Sequence, residues 1–103
     1  MARIVSGDAE SEIGIYGRMR QKFLEEHHPG VYNRMLLFGE LWKHLAEIDA
    51  ACHERMDFLI PAMAKQEGVT EALKVADQME WVGRMNNIRN RAEEIVLREL
   101  VYA

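Results

Sequence analysis

Cysteine is almost missing from this chain. Cys52 is the only one, so no internal disulfide can form, and a reducing cytoplasm is the compartment that fits. Proline is scarce too, two in 103 residues, and seven glycines leave little material for a turn-rich β fold. No apolar run approaches the roughly 20 residues that a membrane-spanning helix needs. The opening Met1-Ala2-Arg3-Ile4-Val5-Ser6-Gly7-Asp8 lacks the apolar core of a signal peptide. A cytoplasmic protein without a membrane partner is therefore expected. An excess of positive charge is also missing. The formal net charge is −4, which argues against a general nucleic-acid binder. Finally, no phosphate-binding loop, dinucleotide-type glycine motif or Ser/His/Asp arrangement occurs.

What is present is a helical pattern. The hydrophobic fraction of 49% and charged fraction of 29% suit a soluble, helix-rich chain. The length suits one domain, with residues 1–10 as a short flexible tail and 11–103 as a single helical domain. Asp8 or Ser11 is a candidate cap for a first helix over about residues 11–26. Gly14 and Gly17 weaken that helix or allow a close backbone approach. His27-His28-Pro29-Gly30 ends it, because the residue before proline avoids the helical region. Pro29 then opens a short second helix containing Val31, Tyr32, Met35, Leu36, Leu37 and Phe38. It is apolar on nearly every side, so it is predicted to be largely buried. Gly39 marks a junction.

From Glu40 the spacing is clean. Leu41, Leu45, Ile48, Cys52, Met56, Leu59 and Met63 advance in steps of four and three, a narrow apolar seam. Glu40, Glu47 and Glu54 repeat on the far side as a solvated acidic face. Pro61 predicts a kink, and Gly68 a stop. Thr70 is placed to cap a last helix running to about Leu100. The short link around Gly68 makes the two long helices antiparallel. The predicted fold is all-α: a hairpin of long helices over about 40–67 and 70–100, with two shorter N-terminal helices packed on it.

The last helix carries the candidate interaction residues. Trp81, Met85, Ile88, Ala92 and Ile95 share one face, read as core. Trp42, off the seam of its helix, is expected to meet the 31–38 helix. Arg84, Arg91 and Arg98 lie seven apart on another face, with Asn87 and Glu94 between them. They could grip phosphates, but Glu80 and Glu94 sit four before Arg84 and Arg98 and favour an ordinary solvated face. Asn86, Asn87 and Asn90 are poor helix formers in mid-helix. They serve either hydrogen bonds to another helix or the Pro61 region, or a partner surface, with the structural use favoured. Val82, Arg89, Glu93 and Leu100 lie across from the arginines. With Val75, Met79 and Leu97 they form a polar-sprinkled apolar band that suits an interface, and a homodimer is favoured.

A metal is not expected. Asp49, His53 and Asp57 share a helix face but lack the usual zinc set and are oxygen-poor for calcium. Cys52 and His53 point about 100° apart, so no Cys–His catalytic pair forms. No cofactor and no catalytic residue is expected.

Several blocks resemble the TnpV family, small proteins encoded on transposons and other mobile elements. They are Ile13-Gly14-Ile15-Tyr16-Gly17, Leu45-Ala46-Glu47-Ile48-Asp49, Gly68-Val69-Thr70-Glu71 with Leu73-Lys74, and above all Gln78-Met79-Glu80-Trp81-Val82-Gly83-Arg84-Met85-Asn86-Asn87-Ile88-Arg89. The resemblance spans about residues 13–102. Pro61 departs from it, as does the short segment before Ile13. It implies an accessory protein of a mobile element and brings no catalytic residues or cofactor. The expectation is a non-enzymatic helical module that occupies a macromolecule, in first place a protein. An anti-CRISPR-like inhibitor of a host defence protein is one concrete form, suited by the acidic face and abundant methionine. The alternative is a DNA-binding accessory factor of transposition that uses Arg84, Arg91 and Arg98.

Overall fold

The computed structural model describes residues 13–103. Among them the chain is all-α, as predicted, without a strand: α1 (Ile15–His27), α2 (Pro29–Leu37), α3 (Leu41–Gln66), α4 (Glu71–Ala76) and α5 (Gln78–Val96), followed by a π-helical turn, Leu97–Val101. No helix among the described residues is long and apolar enough to cross a membrane. Contacts divide the described residues into two compact units, residues 13–52 with 97–103, and residues 53–96. The predicted tail over residues 1–10 and the Asp8 or Ser11 cap lie outside the described residues.

In the first unit, Ile13, Leu24, Leu41 and Leu45 form the buried cluster, with Tyr32, Met35, Trp42 and Ala46 packed against it. Trp42 thus shares a cluster with two α2 residues, as its position off the seam suggested. Helix α1 starts later than the predicted residue 11, at Ile15, because Gly14 is extended (φ −93°, ψ −157°). It ends at His27, and Pro29 occupies the first position of α2, where its missing N–H costs nothing. Gly39 follows α2 with φ +72°, a left-handed junction that an L side chain rarely adopts.

The predicted burial of α2 is wrong. No residue of this helix is buried; Leu37 is 79% and Phe38 66% exposed. A nine-residue helix can turn one stripe to the core. Tyr32 and Met35 take that stripe, and the remaining apolar side chains project outward.

Along α3 the seam is as read: Leu41, Leu45, Cys52 and Met56 are buried and Ile48, Leu59 and Met63 half-buried, while Glu40, Glu47 and Glu54 face solvent. The helix stays helical through Pro61. Pro61 and Asp57 are both exposed, so water can serve the Asp57 carbonyl that lost its donor.

The second unit holds the antiparallel hairpin across Gly68, whose φ is +75°. Ala64, Val69 and Ile88 are its buried centre, with Ile60, Met63, Leu73, Trp81 and Met85 against them. Lys74 lies 4.6 Å over the Trp81 ring. Thr70 caps α4 as predicted, its hydroxyl accepting from the Leu73 N–H at 3.3 Å. The stretch from 70 to 100 is not one uninterrupted helix, however. Asp77 is extended (φ −154°, ψ 90°) and its carboxylate accepts from the Glu80 N–H at 3.1 Å. An aspartate that caps a following helix competes with continuation of the preceding one, and here the cap wins.

Candidate functional site

Helix α5 carries most of the predicted interaction residues, and the structure gives several of them internal partners. Arg84 Nε donates to Glu80 Oε2 at 2.6 Å. Arg91 makes a two-pronged pair with Glu67, at 2.8 and 2.7 Å, and its Nε donates to Asn87 Oδ1 at 2.8 Å. The hydrogen bond from Arg91 holds the Glu67 carboxyl below the ordinary carboxylate range, helped by the charges of Arg91 and Arg84. The same bond holds the Arg91 guanidinium above its usual value. Near neutral pH, Glu67 is therefore an anion that accepts hydrogen bonds and does not donate a proton.

A shallow cleft of about 300 Å³ lies beside these pairs, lined by Glu67, Met79, Glu80, Gly83, Arg84 and Asn87. Arg89, Asn86, Asn90 and Val82 are exposed on α5. Among the described residues, the Asn86 and Asn90 side chains have no hydrogen-bond partner, so the expected bonds to another helix are not made; Asn87 bonds within its own helix. Arg98 and Leu100 lie on the π-helical turn, in the other unit, Arg98 exposed and Leu100 half-buried.

The Asp49/His53/Asp57 face is not a metal site. Asp49 is buried and directed at α1, while His53 and Asp57 are exposed. Among the described residues no group of three or more His, Cys, Asp and Glu could hold a metal ion. Burial, and then the charge of Asp49, push the Cys52 thiol up to about 11. A neutral buried thiol is a poor nucleophile.

Sequence reasoning missed two constellations in the first unit. One is Asp49, whose Oδ1 accepts the N–H groups of Tyr16 and Gly17, both at 3.1 Å. Its signal was available: an acid four after Leu45 and three before Cys52 lies on the apolar face. The other centres on Arg20, whose Nε donates to His44 Nε2 at 3.3 Å. Its terminal nitrogen donates to the carbonyls of Val101 and Ala103, at 2.9 and 3.0 Å, and its guanidinium lies 5.7 Å from the Phe23 ring centre. The hydrogen-bond partners lie 24 to 83 residues from Arg20 in sequence, and no local pattern connects them. A second cleft, of about 320 Å³, adjoins this cluster and is lined by Met19, Lys22, Phe23, Glu26, His27 and Tyr102.

The blocks Ile13–Gly17 and Leu45–Asp49, which resemble a known family separately, thus meet as the two halves of one contact. Compared with known families, the chain matches the model described as transposon-encoded protein TnpV over residues 3–101. No curated protein and no solved structure matched it.

Proposed function

The chain belongs to the TnpV family of transposon-encoded proteins, and from that premise we propose that it is a non-enzymatic accessory protein of a mobile element that acts by occupying a protein partner. The observation that carries this reading is the outward apolar end of α2. Leu36 and Leu37, with Phe38 just beyond, are all exposed, although burying each would supply about 1.5–3 kcal/mol. Adjacent large apolar side chains left in water mark an interaction surface. The exposed carboxylates of Glu40 and Glu47 and the net charge of −4 suit a partner with a basic face. A host defence protein that presents such a face to nucleic acid is the concrete target of this reading, with inhibition by occupancy as the mechanism.

The alternative, a DNA-binding accessory factor, has less support. Arg84 and Arg91 face carboxylates, which cancel the local positive field that phosphate binding requires.

The test is a photo-reactive amino acid at position 38 in the native host. Cross-links to a protein are expected, and Leu37→Glu should abolish them while leaving the helical circular dichroism unchanged. Cross-links to nucleic acid alone, or none above background, would refute the reading.

A further inference from the structure

Met79, Gly83, Asn86 and Asn90 advance by four, three and four residues, so they form one stripe along α5. All four are exposed, Met79 by 82%. Gly83 is the unusual member. A glycine inside a helix costs about 0.5–1 kcal/mol relative to alanine, and such a cost calls for a reason. Gly17 has one, since a Cβ there would press on the Leu45 carbonyl and on Ile13. At Gly83 a Cβ would meet nothing within 4 Å. No contact among the described residues explains it.

We propose that this stripe is the docking face for a second copy of the chain, α5 against α5 across a two-fold axis, with the backbones closest at Gly83. Three features select a second copy over an unrelated partner. The first is shape: a protruding side chain, Met79, and a hole, the cleft of about 300 Å³ beside Gly83, occur on the same face. A two-fold contact presents the same patch from both sides, so each copy offers one knob and one hole. The second is hydrogen bonding. The Asn86 and Asn90 amides each donate and accept, so they can bond to donors and acceptors alike on an identical face. The third is charge. Glu80 and Arg84 flank the stripe 2.6 Å apart, giving both signs in equal number. A uniformly acidic or basic partner would set one of them against a like charge, whereas a second copy offers each its opposite. This face is separate from the α2 end on which the proposed function rests, and the two proposals fail separately.

The experiment is light scattering and sedimentation of the full chain over a concentration series. The unaltered protein should be dimeric at high concentration. Gly83→Leu, which fills the hole and improves helix propensity, and Met79→Glu should each raise the dimer dissociation constant by about tenfold or more. Leu37→Glu should leave it unchanged. Circular dichroism on every variant separates lost association from lost folding. A monomer at the highest soluble concentration would overturn the proposal, whatever else binds the stripe. So would a dimer that survives both α5 substitutions, since its contact would then lie elsewhere.

Discussion

Asp49 of α3 accepts the backbone N–H of Gly17 at 3.1 Å, so the start of α1 is capped by a side chain from a different helix. Gly14, at the cap position, has no side chain to do this, and the first N–H groups of a helix need an acceptor. The carboxylate also sits at the positive end of the α1 dipole. Replacing Asp49 with alanine leaves buried donors without a partner, a loss of about 1–3 kcal/mol. Asp49→Asn keeps an acceptor oxygen and gives up only the charge, so it should cost less. Urea unfolding of the three proteins should rank them in that order. An alanine variant as stable as the parent would show that the cap contributes nothing.

The same contact explains why glycine stands at position 17, where a helix would prefer alanine. A Cβ on Gly17 would lie 2.9 Å from the Leu45 carbonyl oxygen and 2.5 Å from Ile13 Cγ2. Backbone cannot move aside cheaply, so Gly17→Ala should destabilise by about 1–3 kcal/mol despite its better propensity. Gly83→Ala should do the reverse and stabilise by roughly 0.5–1 kcal/mol, because nothing crowds that position. Thermal melts in a Met79→Glu background keep association out of the comparison. If both glycines respond with the same sign, crowding is not what distinguishes them.

How far this could be read from the sequence follows from the range of each interaction. Signals that act within one turn were legible: Pro29 opening α2, Gly68 ending α3 and Thr70 capping α4 each rest on a single residue's backbone or side-chain chemistry. Asp77 belongs to that class and was overlooked, because the apolar spacing runs on through it. Long-range terms were not legible. Trp81 was placed correctly because its face repeats along α5. The outward side of α2 could not be inferred, because a helix apolar all round does not say which stripe meets the core. The pairing of Arg91 with Glu67 was missed for a related reason, since spacing along α5 cannot show a partner 24 residues away, just past the end of α3.

His44 should make the stability of the first unit sensitive to pH. Burial, and then the adjacent Arg20 charge, hold its pKa below the usual 6.5, while Glu47 pulls the other way. Arg20 Nε donates to His44 Nε2, so that nitrogen must be unprotonated in the folded protein. Because the folded pKa is the lower one, the unfolded chain takes up the proton first as pH falls. Stability contributed by the neutral ring is therefore present above 6.5 and is lost as pH drops through the unfolded and then the folded value. Urea midpoints measured from pH 7.5 to about 5 should fall for the parent and fall less for His44→Gln, which has an amide oxygen to accept from Arg20. Identical slopes for the two proteins would remove His44 as the source.

The Glu67–Arg91 pair decides how much positive field α5 can offer to DNA. Both partners are well exposed, so the pair adds little to stability, and Glu67→Gln should barely shift a urea midpoint. Its larger effect is electrostatic. Glu67→Gln together with Glu80→Gln removes two negative charges and releases the guanidinium groups of Arg91 and Arg84. If those carboxylates are what blunts the arginines, the double variant should gain weak, salt-sensitive retention of duplex DNA that the parent lacks, and Arg84→Glu with Arg91→Glu in the otherwise unaltered chain should change nothing in a low-salt gel shift. Retention by the parent that disappears with those two arginines would instead make α5 a DNA-binding face, and the carboxylates would be partners that phosphate displaces.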